Sequence, residues 1–241
     1  MAPEILSRTW TFITAMTSKS ILDGSAGDGR EKLLLKSVLE DAEKNPESVM
    51  KTIDKFASRS WLMNIGDDKG QLLDKAIADR KPKVVLELGA YIGYSAVRIS
   101  SQLEEGAKLI SLEMNPENAS TATQVVEHAG LSDKVVVVEG ILKDKVGEIK
   151  RLVEEMNAEI IDFVFIDHDK RYYLSDYLLL KENGLVGKGT VLFADNMKIP
   201  GSPEYREYVT SNKEELDTVE HNTRFEYLRF LPDSVVISTL K

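Results

Sequence analysis

Five apolar runs, KVVLEL, KLISLE, KVVVVEG, IDFVFID and TVLFAD, recur along the chain and are separated by stretches of helical composition containing SAVRISSQL, ASTATQVVEHA, EIKRLVEEM and YLSDYLLLKE. A sheet wetted on one face would alternate polar and apolar residues. These runs do not alternate, so they read as strands covered on both faces. Parallel neighbours need long crossovers, and the helical stretches supply them. The fold class predicted is therefore α/β, a mostly parallel sheet with helices on both faces. The tail departs from this rhythm, since VEHNTRFEYLRF followed by LPDSVVISTL predicts two strands about a Pro232-Asp233-Ser234 turn, an antiparallel hairpin on the edge.

Upstream, residues 1–26 end in the Gly- and Ser-containing stretch ILDGSAGDG and read as a flexible leader with a linker. One domain is expected from 27 to 241. REKLLLKSVLEDAEK has helical composition, and NPESVMKTIDKFA restarts a helix with Asn45 as N-cap, Pro46 in the first turn and Val49, Ile53 and Phe56 on one face. A net charge of -9 without a long basic block gives no reason to bind nucleic acid or an anionic membrane, so a small-molecule partner is expected. Nothing demands more than a monomer. With no cysteine, a metal would have to be held by oxygen or by the three histidines, which favours a hard ion such as Mg²⁺. No apolar run has the length of a membrane span. WTFITAMTS is interrupted by Thr and preceded by Glu4 and Arg8, so a secretory signal is not expected and the reading is cytoplasmic.

Ligands of open α/β sheets sit at the carboxyl ends of the strands, and those ends are polar here. The first strand runs into ELGAYIGYS, with Glu87 ahead of Gly89 and Gly93. This is not the G-x-G-x-x-G pattern of a pyrophosphate site, and an acidic residue there repels phosphate. It suits a ligand with a cationic portion. Glu113, ending the next strand, can accept hydrogen bonds from two ribose hydroxyls. Together they fit S-adenosylmethionine, although a strand followed by a glycine turn occurs in every α/β protein.

The strings WLMNIGDDKG, LELGAYIGYSAVRIS, LEMNPENA, FIDHDKRYYL, LLLKENGLVGKGTVLFADN and IPGSPEY occur in order from about Gly27 nearly to the end, and their combination resembles the catechol O-methyltransferase family. The resemblance implies a Rossmann-like methyltransferase fold with a seven-stranded sheet, and an S-adenosylmethionine- and Mg²⁺-dependent transfer of a methyl group to one catechol hydroxyl. It implies Met63 and Ile65 beside cofactor and substrate, Glu87, Gly89, Tyr91 and Ser95 around the methionine portion, Glu113 on the ribose with Met114 next to it, and Asp167 and His168 on the cofactor side, His168 near the adenine. Asp167, Asp195 and Asn196 would hold Mg²⁺. Three protein oxygens, two from a catechol and one from water make about the six that this ion takes. Asp residues at strand ends can instead be surface charge or helix caps.

A phenolic hydroxyl has a pKa of about 10, so ionising it at neutral pH costs roughly 4 kcal/mol. A divalent cation on both oxygens lowers that cost. The resemblance makes Lys170 the general base. A free lysine stays protonated at pH 7, so the role requires burial beside a cation. Glu226 would bond the hydroxyl that is not methylated, with the local spacing about one residue off the family pattern. Trp61 and Pro200 would hold the aromatic ring, and Lys170, Asn196 and Glu226 would also touch the substrate.

Asp169 departs from the family pattern, which often has tryptophan there, and Leu142 and Lys143 replace a polar pair usually met by the adenine. Altered cofactor affinity and a preference for amine-bearing catechols follow as expectations. A Mg²⁺-dependent methyltransferase for caffeoyl esters or a hydroxylated RNA base would share the cofactor and metal residues, though the acidic charge disfavours RNA. A nucleotide-dependent oxidoreductase is disfavoured by the missing glycine fingerprint. A noncatalytic cofactor-binding protein is a further alternative.

Overall fold

The computed structural model describes the backbone of residues 2–17 and 25–241. In chain order the elements are α1 Ala2–Thr17, α2 Arg30–Asp41, α3 Pro46–Ala57, α4 Gly66–Arg80, β1 Val84–Leu88, α5 Tyr94–Ser100, β2 Lys108–Glu113, α6 Pro116–His128, β3 Val135–Glu139, α7 Leu142–Glu155, β4 Phe163–Ile166, α8 Tyr173–Glu182, β5 Val191–Ala194, α9 Pro203–Ser211, β6 Leu216–Phe225 and β7 Leu228–Leu240. The strands form one seven-stranded sheet in the order β3-β2-β1-β4-β5-β7-β6. The first five run parallel, and β7 lies antiparallel between β5 and β6.

Alternate residues of the central strands feed two cores, one on each face. Val85, Leu109, Phe163, Phe165 and Phe193 pack with Leu34, Val49, Leu73, Val97 and Val125 of α2 to α6. Leu86, Ile110, Val164, Ile166 and Leu192 pack with Ile149, Tyr173, Tyr177 and Val209 of α7 to α9. Every residue of β1, β4 and β5 is buried, which is why these runs lack alternation. The edge strand β3 does expose side chains. Asn45 caps α3 by accepting a hydrogen bond from the Ser48 backbone N–H, with Pro46 opening the first turn. Val49 and Ile53 are buried, and Phe56 is half-buried on the same side.

The chain leaves β1 outward to β2 and β3, then returns to β4 on the other side of β1. The order therefore reverses between β1 and β4, and a crevice opens beyond their carboxyl ends. Glu87 and Gly89 lie at one of those ends and Asp167 at the other.

Two expectations need correction. The hairpin does not turn at Pro232-Asp233-Ser234: those residues lie within β7, paired with Arg224, Thr223 and Asn222. The chain turns at Glu226-Tyr227 instead, where Tyr227 takes a left-handed φ of 56°. Pro232 is tolerated because β5 flanks only the later part of β7, from Val236 to Thr239, and proline is accepted where a strand has a free edge. Second, residues 2–17 form helix α1 where a flexible leader was expected. Trp61 N–H donates to Thr11 Oγ1 (3.0 Å), and the Phe12 ring meets Trp61 and Phe225 edge-on at 5.0 and 5.5 Å. These contacts give the segment a reason to order. The linker expected after it falls partly, at 21–24, outside the described residues. Helices α4 and α9 carry no signal in the strand-and-helix alternation. Among the described residues, no helix is long and apolar enough to cross a membrane.

Candidate active site

The end of β1 is the tightest point of the crevice. Gly89 has φ 97°, and a Cβ placed on it would lie 2.8 Å from the Asp167 carbonyl oxygen and 2.9 Å from the His168 nitrogen. Only glycine lets the β1 and β4 ends approach this closely. Gly89→Ala is expected to destabilise the fold by about 1–3 kcal/mol, through left-handed strain and backbone collision together. Thermal unfolding checks it: an unchanged melting temperature would show that the strand ends can separate freely.

Glu87 is wholly buried on β1 and faces Ser111 across the β1–β2 register. Ser111 donates its hydroxyl to Glu87 Oε2, while Oε1 has no hydrogen-bond partner among the described residues. Burial pushes the Glu87 carboxyl up to about 7; hydrogen bonds from Ser111 and Ser95 oppose this, and the charges of Asp167 and Glu113 add to it. At the end of β2, Glu113 accepts from the Tyr91 and Asn115 backbone N–H groups at 2.7 and 2.8 Å. Burial nonetheless raises its carboxyl to about 7. Tyr91, at φ 47°, donates its hydroxyl to Glu31 of α2 (2.8 Å). Ile65 is buried just before α4 and Met63 is half-buried nearby, whereas Met114 is 44% exposed beyond β2. A pair of buried carboxyls with raised pKa values, one with an oxygen lacking a partner, can be stabilised by a cationic ligand.

A second group forms where β4, β5 and the β6–β7 turn converge. Asp167 continues the sheet by donating its N–H to the Leu88 carbonyl (2.9 Å), and its carboxylate lies 2.9 Å from Lys170 Nζ. Burial pushes the Asp167 carboxyl up to about 7, opposed by Lys170 and reinforced by the charge of Asp195. Lys170 opens the short 3₁₀ turn Lys170–Tyr172. Its ammonium reaches the Tyr173 hydroxyl at 2.5 Å and sits 4.7 Å from that ring's centroid. Tyr173 in turn donates to the Asp195 carbonyl (3.1 Å). Asp195 Oδ1 accepts from the Asn196 N–H at 2.7 Å, while the buried Oδ2 has no hydrogen-bond partner among the described residues. Asn196 holds φ 53°, a left-handed conformation that asparagine tolerates better than most residues.

Lys69 of α4, wholly buried, joins these pieces. Its ammonium lies 2.8 Å from Asp195 Oδ1, 2.8 Å from Glu226 Oε2 and 3.1 Å from Asp233 Oδ2. Burial disfavours its charge, but these carboxylates outweigh burial and hold its pKa well above the ordinary amine value. Burial also raises the Glu226 carboxyl, with Lys69 opposing. Gly66 lets the start of α4 press against the turn, since a Cβ there would meet Glu226 Cβ at 3.2 Å.

The structure thus brings Asp167, Lys170, Asp195, Asn196 and Glu226 into one network. Trp61 is only 2% exposed, stacked on Phe225 at 6.1 Å. Pro200, exposed, follows a cis peptide bond after Ile199. His168 stacks on Tyr173 at 5.1 Å, and its Nε2 lies 3.0 Å from Asp176 outside hydrogen-bond geometry. Asp169 is paired with Arg171, whose Nε lies 2.9–3.0 Å from its carboxylate oxygens, so part of the charge behind the expected preference for substrate amines is offset. Leu142 is buried in the core below the sheet, so it is a packing residue, while Lys143 is exposed. Lys69, Asp233 and Tyr173 were not foreseen as site residues. Lys69 did leave a signal, a lysine on the apolar face of α4 shared with Gly66, Gly70, Leu73 and Ile77.

Among the described residues, no three His, Cys, Asp or Glu side chains are grouped as a metal site. The anticipated set contains only two carboxylates and one amide. Its donors are all oxygen, and the unpartnered Asp195 Oδ2 is the kind of buried atom that a hard cation satisfies.

Residues 40–224 match the model of a family described as O-methyltransferase. The chain is 40% identical to mouse catechol O-methyltransferase over 84% of this chain and 76% of that one, and 44% identical to the Bos taurus enzyme over 87% and 76%. Its fold matches the solved structure of a Bacillus cereus O-methyltransferase in complex with S-adenosylhomocysteine, with a TM-score of 0.66 at 21% identity, covering 88% of this chain and 97% of that one. With this sheet order, a polar crevice at the β1–β4 reversal and relatives of this closeness, the chain belongs to the O-methyltransferase family and is an S-adenosylmethionine-dependent methyltransferase.

Proposed function

We propose that the protein transfers the methyl group of S-adenosylmethionine to one hydroxyl of a catechol in a Mg²⁺-dependent reaction. The observation that carries this reading is the convergence of Asp167, Lys170, Asp195, Asn196 and Glu226, with an oxygen of Asp195 unpartnered, beside the buried acidic pair Glu87 and Glu113. The high identity to catechol O-methyltransferases supports the choice of acceptor. The acceptor is a small molecule, with neither nucleic acid nor membrane as a partner, and the protein acts as a cytoplasmic monomer.

Asp167, Asp195 and Asn196 would hold the ion, which when bound would lower the cost of ionising a catechol hydroxyl. Lys170, as a neutral amine once its ammonium has given a proton to solvent, would take the proton of the attacking hydroxyl. S-adenosylmethionine, when bound, would supply the methyl group: a bond from the attacking oxygen to the methyl carbon would form as the carbon–sulfur bond breaks, the electron pair of the broken bond staying on sulfur as the sulfonium becomes a neutral thioether. Glu226 accepts a hydrogen bond from the second hydroxyl. Glu87 would face the cationic end of the cofactor and Glu113 its ribose, while Trp61, Met63 and Pro200 would border the acceptor ring. Holding oxygen and methyl carbon in line supplies much of the rate.

The raised carboxyls set a pH dependence. Both Glu87 and Glu113 titrate near about 7 in the unliganded protein, above the ordinary value of 4.5, so they bind more protons folded than unfolded. Their contribution to stability is therefore lost as pH rises from about 4.5 through about 7. A cationic cofactor favours the ionised forms, so its binding is expected to release protons at pH 6.5. Calorimetry in two buffers of different ionisation enthalpy measures this, and a binding heat independent of buffer contradicts it.

The function is tested by mass spectrometry of a reaction containing S-adenosylmethionine and catechol, with Mg²⁺ or with EDTA. A monomethylated product formed only with metal supports the reading. Cofactor binding without product would move the acceptor to another hydroxylated aromatic.

A further inference from the structure

We infer that Asp233 is a positioning residue that sets the Asn196 side-chain amide with its oxygen toward the metal position, an inference that rests on the metal reading above. An asparagine amide can present either its oxygen or its NH₂ to a given neighbour, and only the oxygen binds a cation. Here both amide hydrogens are used: Nδ2 donates to Asp233 Oδ2 at 3.0 Å and to Glu226 Oε2 at 3.2 Å. The flipped amide would turn its oxygen onto two buried carboxylate oxygens and leave its hydrogens unpaired.

Of the two acceptors, Asp233 is the one held in place by the fold. It is wholly buried, and its Oδ1 accepts from the backbone N–H groups of Lys198 (3.1 Å) and Ile199 (3.4 Å), in the segment that follows Asn196. Its Oδ2 also receives the Lys69 ammonium at 3.1 Å. Its neighbour Ser234 accepts the Met197 N–H at 2.9 Å, so β7 grips both sides of the Asn196 loop. Glu226 lies on the turn and would face the acceptor. The Pro232-Asp233-Ser234 run therefore lies inside β7 and carries a carboxylate to the amide behind the metal position.

The test uses Mn²⁺ as a probe, titrated into the S-adenosylhomocysteine-loaded protein, with free Mn²⁺ read by electron paramagnetic resonance. Asp233→Asn keeps the shape but sets an NH₂ or a weaker acceptor against Asn196 and Lys69. Its Mn²⁺ Kd is expected to rise tenfold or more while the S-adenosylhomocysteine Kd stays within twofold, and Asp233→Glu is expected to recover part of the loss. An unchanged Mn²⁺ Kd in a variant that binds S-adenosylhomocysteine normally overturns the inference. Failure of the wild type to bind Mn²⁺ overturns the metal reading itself, and the inference with it. Should Asp233→Asn not fold, the wild type still decides: the Asn196 side-chain NH₂ signals, assigned in ¹⁵N spectra by their loss in Asn196→Asp, are expected to exchange slowly without metal. Exchange as fast as that of exposed asparagines contradicts the clamp.

Discussion

Lys170→Ala is expected to lower kcat by between about a hundredfold and ten-thousandfold, the usual contribution of a positioned general base. The KM for S-adenosylmethionine should change little, because Lys170 itself is not among the residues proposed to hold the cofactor. Lys170 is placed for this role by three contacts: the Asp167 carboxylate at 2.9 Å, the Tyr173 hydroxyl at 2.5 Å, and a hydrogen bond from Ser202 Oγ to its own carbonyl at 2.9 Å. The last ties the 3₁₀ turn to the residue that precedes α9. Lys170→Arg should not rescue the rate, since a guanidinium keeps its proton under all working conditions. In the alanine variant the rate should climb with hydroxide concentration, as solvent base replaces the missing amine. Retention of more than half the wild-type kcat would remove Lys170 from the mechanism.

The largest effect on stability is expected from Lys69→Met. Methionine approximates the length of the lysine stem but leaves Asp195, Glu226 and Asp233 buried without their shared cation. Breaking a buried ionic cluster by removing one sign costs about 3–5 kcal/mol. For a domain of this size that corresponds to a fall in melting temperature of roughly 6–20 °C. The sign with pH follows from which groups titrate. Lys69 has a folded pKa well above the amine value, so its stabilisation is fully present below the unfolded amine value of about 10.4 and is lost only as pH rises through the folded one. Across neutrality the wild type is therefore insensitive to this group. In the variant the orphaned carboxylates can take up protons, so the deficit should be smaller at pH 5.5 than at pH 7.5. Thermal unfolding at the two values reads this directly, and equal melting temperatures for variant and wild type would show the cluster to be energetically idle.

Much of the architecture was legible in the sequence because the parallel strands are buried on both faces. KVVLEL and TVLFAD are apolar for the same reason that β1 and β5 have no exposed residue. The clustering of charge at a strand end was legible too, since FIDHDKRYYL follows a buried strand and sets Asp167 and Lys170 2.9 Å apart at the end of β4. What stayed hidden depends on contacts distant in sequence. Pro232-Asp233-Ser234 has the local chemistry of a turn, and only its pairing with Asn222 to Arg224 makes it a strand. Lys69 shows in the sequence only as a lysine on the apolar face of a helix, and its three carboxylate partners come from distant segments. Phe12 had no visible partner because Trp61 and Phe225 are far away along the chain. The pairing of Asp169 with Arg171 depends on the geometry of the turn and has no signature in the string itself.

The measurement that tests the central claim most directly compares methyl transfer to catechol with transfer to resorcinol, whose two hydroxyls are not adjacent, each with Mg²⁺ and with EDTA. If the strand-end cluster holds a cation that grips adjacent oxygens, catechol is methylated only with metal and resorcinol is turned over at least a hundredfold more slowly. Equal rates for the two acceptors, or catechol turnover that survives EDTA, would contradict it.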